Sequence, residues 1–227
     1  MGAAAYDIIL NHNNHIENGC ILEIGSCSLG PYGENSSTFF AGYIQNKPNV
    51  NFYTIDKEQH IIDSLSRFEK VMPNKFHAWC GEPLDLIKNI KEPICFAYLD
   101  NFDYIPPDSE DEQWITDMKV RYIEEYGIEL TNENSANVHL EQTKLIHERS
   151  GEKCYILFDD TWDIKSARTF EGWVTPENSY DGWYGKGAKA VPWLLSNGWS
   201  LIEKDMEGRP RDDWTILCNF DHRCKIV

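Results

Sequence analysis

Six acidic residues stand at or just after the end of an apolar, strand-like run: Glu23, Asp56, Glu82, Asp100, Asp159 and Asp160. Carboxylates in such places can accept hydrogen bonds from a ligand, hold a cation or take up a proton. Asp100 and the Asp159-Asp160 pair are the sharpest of them. If the fold brings these three together unpaired, they repel one another and raise each other's pKa until a cation or a shared proton joins them. A hard divalent ion with oxygen ligands, most simply Mg²⁺, relieves that conflict. A second stretch with chemical content is Cys20 to Thr38, CILEIGSCSLGPYGENSST. A short apolar run there breaks into a loop holding Gly25, Gly30 and Gly33, and a helix-like segment follows. Glycines allow sharp turns and close backbone approach to a ligand, and the helix N-terminus behind them offers free N–H groups. The spacing is E-x-G-x-x-x-x-G, from Glu23 through Gly25 to Gly30. The dinucleotide fingerprint G-x-G-x-x-G is not met, because Cys27 stands two residues after Gly25.

The elements that must position these residues alternate along the chain. Ala3 to Ile16 reads as an opening helix, and Cys20–Ile24 as a first strand. Ser36–Gln45 is helical, with Phe39, Phe40, Tyr43 and Ile44 as its inner face. Val50–Ile55 is a second strand with Asp56 at its carboxyl end, and Gln59–Val71 is a second helix. Phe76–Trp79 is a short strand, and Pro83 opens the helix that follows Glu82. Pro93–Leu99, PICFAYL, is a near-continuous apolar run of the kind buried on both faces of a parallel sheet. Asn101 to Asn137 then breaks the pattern with Pro106-Pro107, an acidic run and an amphipathic piece around Trp114–Tyr126. It reads as an insertion, either a solvated surface excursion or a lid. Helical periodicity returns at Val138–Arg149, and Cys154–Phe158 is another buried strand before Asp159-Asp160. Ile164–Trp173 is helix-like, Trp173–Gly187 a loop rich in aromatics and glycine, and Ala188–Leu195 a helix. Trp199–Glu203 and Trp214–Phe220 read as strands joined by a turn at Gly208-Arg209-Pro210. The fold class predicted is α/β: a Rossmann-like, seven-stranded, mostly parallel sheet with helices on both faces and an antiparallel C-terminal hairpin edge. One domain spans 1–227, with the insertion at about 101–137. Ligands of such sheets sit at the carboxyl ends of the strands, where the acids are.

The E-x-G-x-x-x-x-G loop, with Asp56 ending the next strand, resembles class I S-adenosylmethionine (SAM)-dependent methyltransferases. The resemblance implies that Asp56 binds the ribose hydroxyls of SAM through a bidentate contact. Gly25, Ser26 and Gly30 then give room and N–H donors, Glu23 serves the cationic amino-acid end, and Gly81 and Glu82 stand where the family lines the adenine. Asp56 also suits a helix N-cap, and the two roles are compatible. "YLDNFDY" and "LFDDTWD" are similar to the two metal-ligand segments of cation-dependent O-methyltransferases of the catechol and macrolide-sugar type. That likeness implies Asp100, Asp159 and Asp160 as ligands of a divalent cation, with Asp100 also beside the cofactor. In those families a Lys or His three residues after the strand-four Asp removes the acceptor's proton. Here Asp103 holds that position; His139 and Tyr104 are the other candidates for the base. The implied reaction is methyl transfer from SAM to a small-molecule hydroxyl of sugar or natural-product type. A metal-independent enzyme, a non-catalytic SAM-binding protein and a nucleotide-dependent oxidoreductase are the rival readings. Trp162, Trp173, Tyr180, Trp183 and Tyr184 crowd the segment after the fifth strand, either to clamp an acceptor or to pack an irregular loop.

The bulk properties set the remaining expectations. With 227 residues, 41% of them hydrophobic, the chain can bury a real core. A formal charge of −16 without a Lys/Arg cluster argues against nucleic acid as a partner. Seven cysteines without a C-x-x-C pair, four of them in apolar runs, suit a reducing compartment. No apolar run approaches a membrane span, and residues 1–10 lack the pattern of a signal peptide, so the expected location is cytosolic, with no membrane partner. A homo-oligomer is compatible with all of this.

Overall fold

A computed structural model describes residues 16–26, 36–105, 112–163, 179–202 and 214–220. The main sheet has seven strands in the order β3-β2-β1-β4-β5-β9-β8. They are β1 (Gly19–Ile24), β2 (Val50–Asp56), β3 (Phe76–Cys80), β4 (Ile94–Leu99), β5 (Ser150–Asp159), β8 (Ser200–Leu201) and β9 (Trp214–Cys218). A separate two-stranded ladder pairs β6 (Thr161–Asp163) with β7 (Trp183–Gly185). The first five strands of the main sheet run parallel, while β9 lies antiparallel to β5 and β8 antiparallel to β9. This is the architecture expected from the sequence, hairpin edge included.

Helices cover both faces, because the strands alternate two apolar sides. Ile21 of β1, Phe52, Phe76, Phe96 and Tyr98 face α1 (Ser36–Gln45) and α2 (Gln59–Val71), through Phe40, Ala41, Ile44 and Leu65. Cys20, Leu22 and Ile24 of the same strand, with Ile55, Ala97 and Leu99, face the other way. There they meet Ile87 of α3 (Pro83–Ile87), Ala136 and Ile146 of α5 (Asn132–Arg149), and Val191 and Leu194 of α6 (Ala190–Ser196). All six residues of β1 and all six of β4 are buried, as the unbroken apolar runs require of central parallel strands.

The insertion is more ordered than an irregular excursion. It contains the 14-residue helix α4 (Gln113–Tyr126), which closes on Gly127 in the left-handed region at φ 65°. Ile105, Ile115, Tyr122 and Leu130 form a small apolar cluster of their own beneath it. The helix expected from Val138 begins earlier, at Asn132, where the Thr131 side chain accepts a hydrogen bond from Asn134 N at 3.0 Å. The aromatic loop after β5 also holds more structure than its composition suggested, since Trp183–Gly185 is strand β7. The opening helix up to residue 15, Gly30, Gly33, Ile164–Trp173 and the turn at Gly208 lie outside the described residues. Cys20, Cys80, Cys95, Cys154 and Cys218 are free thiols, and all but Cys80 are buried. Among the described residues no helix is long and apolar enough to cross a membrane.

Candidate functional site

Strand β1 connects outward on one side of the sheet and β4 on the other, so a crevice opens between their carboxyl ends. It is lined by Gly25 and Ser26 after β1, Asp56 and Glu58 after β2, and Glu82 after β3. Asp100 to Asp103 after β4 continue the lining, and Tyr122 and Tyr126 of α4 stand over it. Glu58 ties that helix to the rim, because Arg121 and the Tyr126 hydroxyl, the latter at 3.1 Å, both donate to it.

Gly25 is a glycine for a steric reason. Its φ is +92°, and a Cβ there would lie 2.6 Å from the carbonyl carbon and oxygen of Asp100. The chain can therefore leave β1 while touching the backbone that leaves β4. Asp56 is held by the neighbouring loop: Ser26 N donates to Oδ2 at 3.0 Å and Glu58 N to Oδ1 at 2.8 Å. Burial raises its pKa, partly offset by these backbone donors. Each oxygen keeps a lone pair beyond the one used. Gly81 donates its N–H to Asp56 O at 2.9 Å behind the crevice, and Glu82 pairs with Lys57 at 2.8 Å.

Glu23, expected to meet the cofactor, points elsewhere. Like Ile21 it faces the α1 layer, fully buried, and its Oε2 accepts from Ser37 Oγ at 2.5 Å and Thr54 Oγ1 at 2.6 Å. Burial pushes its carboxyl from 4.5 up to about 7 against the pull of these hydroxyls. It is not among the crevice-lining residues. His139 also differs from expectation. Its ring is fully buried, Nδ1 lies 2.8 Å from Ser135 O, and burial lowers its pKa to about 4, so the ring is neutral. It does not line the crevice, and a base must reach the proton it removes. Asp103 does line it; its Oδ2 accepts from the Tyr122 hydroxyl at 2.9 Å, which in turn accepts from Asp103 N at 2.8 Å. Tyr104 packs its ring against Trp162 at 6.0 Å. Trp183 and Tyr184 are buried in the β6–β7 ladder, which answers for them as packing residues, and Trp173 lies outside the described residues.

The three strand-end aspartates do meet. One carboxylate oxygen from each of Asp100, Asp159 and Asp160 lies within 4.8 Å of the others. Sequence reasoning missed the fourth member, Lys186, which follows β7 and has a side chain only 4% exposed. Its Nζ stands 2.7 Å from Asp100 Oδ1 and 3.0 Å from Asp160 Oδ2. Burial alone would raise Asp100, but the Lys186 ammonium and hydrogen bonds from Lys186, Asp159 and Tyr98 hold it below its ordinary value. Asp159 moves the opposite way. Burial first, then the Asp100 and Asp160 charges, push its carboxyl well above the ordinary carboxylate range. The Lys186 ammonium thus stands among carboxylates whose repulsion a divalent cation was expected to relieve. As they stand, these residues do not fit a divalent ion, because an ammonium already spans two of the three ligands. The one sequence signal for Lys186 was a lysine between two glycines, Gly185 and Gly187, which by itself names no role.

No protein-family model matches the sequence, and no curated protein does. Solved structures do. A protein provisionally described as an rRNA methylase, from Clostridium thermocellum, superposes with a TM-score of 0.51 at 11% identity, over 95% of this chain and 93% of that one. One provisionally described as a caffeoyl-CoA O-methyltransferase, from Staphylococcus aureus, gives 0.51 at 13% identity, over 95% and 81%. Likeness at this identity carries the fold alone, a Rossmann-like, mostly parallel sheet shared with these methyltransferase structures. It also overturns the exclusion of nucleic acid. A chain of this fold is described as acting on rRNA, and a net charge of −16 is a sum over the whole surface that does not forbid a local contact.

Proposed function

We propose that the protein transfers the methyl group of SAM to an acceptor hydroxyl of sugar or natural-product type. The reading rests above all on Asp56: a carboxylate at the end of β2, oriented by two backbone donors and opening on the crevice at the switch point of this fold. Its remaining lone pairs suit the two hydroxyls of a ribose, a charge-assisted contact. Gly25 and Ser26 give the chain's close approach beneath the methionine moiety, and Gly81 and Glu82 border the adenine end. Asp100 closes the crevice between this region and the acceptor. When bound, SAM would supply an electrophilic methyl on a sulfonium, which an acceptor oxygen could take while the C–S electron pair stays on S-adenosylhomocysteine.

The chain's own residues hold the acceptor and receive its proton. Asp103 lines the crevice with one oxygen engaged by Tyr122, and it serves as the base. An exposed carboxylate is a weak base, so positioning contributes most of the rate: two reactants held in near-attack geometry gain on the order of 7–11 kcal/mol over free encounter. Tyr122 and Tyr126 cover the crevice and exclude water from it.

Calorimetry with S-adenosylhomocysteine and with NAD⁺, followed by transfer from tritiated SAM to catechols, sugars, and bulk tRNA and rRNA, tests the reading. Binding of S-adenosylhomocysteine but not NAD⁺, with label entering a small hydroxyl compound, supports it. Absence of S-adenosylhomocysteine binding removes the cofactor assignment, and label entering only RNA removes the acceptor assignment.

A further inference from the structure

Lys186 is a buried cation held by a rigid backbone. The β6–β7 ladder fixes its segment: Lys186 N donates to Asp160 O at 3.0 Å, and Gly187 N donates to Thr161 Oγ1 at 2.8 Å. Gly185, at φ +82°, admits no side chain, because a Cβ there would fall 1.7 Å from Asp160 O. The lysine can therefore project only from this pinned turn, and its ammonium lies where Asp100 and Asp160 both reach it, at 2.7 and 3.0 Å. Lysine is almost never fully buried unless paired; this one is paired twice. The three carboxylate oxygens, within 4.8 Å of one another, have the spacing that would otherwise gather round an ion at about 2.0–2.6 Å. An ammonium and a divalent cation cannot share that space, because their charges repel and the nitrogen occupies the volume.

We propose that Lys186 is a built-in substitute for a divalent ion: its ammonium occupies the position among Asp100, Asp159 and Asp160, the site works without metal, and removing that one charge turns the three carboxylates into a divalent-cation site. Only the statement that the site works in methyl transfer rests on the function proposed above; the exchange of ammonium for metal stands on the ion-pair geometry alone. Lys186 is on this account a positioning residue, acting through the carboxylates it holds together.

The test is Mn²⁺ uptake by the full chain, read from the electron paramagnetic resonance signal of free Mn²⁺. The parent should take up no Mn²⁺ that Asp159→Asn abolishes. Lys186→Met, similar in volume and uncharged, should bind one ion per chain at least about tenfold more tightly than the parent, since a charged competitor has gone. Adding Asp159→Asn to it should remove that ion, and Lys186→Arg, which keeps the charge, should stay metal-free. Should Lys186→Met not fold alone, refolding with millimolar Mn²⁺ reads the same property: recovery of the native circular dichroism with Mn²⁺ but not Na⁺ supports the proposal, and recovery with neither overturns it. Parent uptake that Asp159→Asn abolishes overturns it without any change at 186. S-adenosylhomocysteine calorimetry run in parallel separates the two ideas: loss of cofactor binding sinks the methyltransferase reading, while the Mn²⁺ result decides the role of Lys186.

Discussion

Replacing Glu23 with glutamine removes one titrating group from beneath the crevice and leaves an acceptor oxygen for Ser37 and Thr54. Glu23 is fully buried, and hydrogen bonds from Ser36, Ser37 and Thr54 offset only part of the cost of burying its charge. Burial therefore carries its carboxyl from 4.5 up to about 7. A folded-state pKa above the unfolded one means that the native protein binds a proton which the unfolded chain has lost. The stabilisation is complete below about 4.5 and disappears as pH rises towards about 7. At roughly 1.4 kcal/mol for each tenfold change in the proton equilibrium, the rise corresponds to about 3 kcal/mol. In a domain of this size that is about 6–12 °C in Tm. Urea titrations at half-unit steps from pH 4.5 to 8.5, in parent and Glu23→Gln, measure it. Asp159 titrates in the same direction up to about 8, so the quantity to read is the difference between the two proteins. The parent should lose about 3 kcal/mol more than the variant between pH 4.5 and 7.5, and at pH 8 the variant should be the more stable. Parallel stability curves for the two proteins would refute the burial of an ionisable Glu23.

Asp56→Ala should weaken S-adenosylhomocysteine binding by on the order of 2–3 kcal/mol, the loss of a charge-assisted bidentate contact, with unchanged affinity by calorimetry counting against the cofactor assignment. Gly25→Ala forces a side chain into the Asp100 carbonyl at a φ of +92°; it should lower the urea midpoint and abolish cofactor binding together, and a variant as stable as the parent would contradict the close approach of β1 and β4.

Much of this architecture is legible in the chain itself, because burial on both faces leaves a composition signal. Cys20–Ile24 and Pro93–Leu99 admit few polar side chains since each is flanked by a strand on either side and a helix layer above and below. Gly25 was legible for the same kind of reason: a backbone that must pass within contact of another backbone excludes a Cβ, and glycine is what remains. Asp56, Asp100, Asp159 and Asp160 could be placed at the carboxyl end of the sheet because strand direction alone puts them there.

Orientation and long-range company were decided only in three dimensions. Glu23 lies on a strand whose alternate residues face opposite helix layers, and its parity turns it towards Ser37 on α1 rather than into the crevice. His139 sits on a helix whose periodicity marks a buried stripe without saying which residues of that stripe reach a cavity, and tertiary packing enclosed it. The Asp100–Lys186 pair joins residues 86 positions apart. Sequence could show that three aspartates brought together need a cation or a shared proton, because electrostatic repulsion follows from their types and strand positions. It could not show that the cation is a lysine of the same chain, because that depends on the β6–β7 ladder folding Gly185-Lys186-Gly187 back over the ends of β4 and β5, a contact with no local signature.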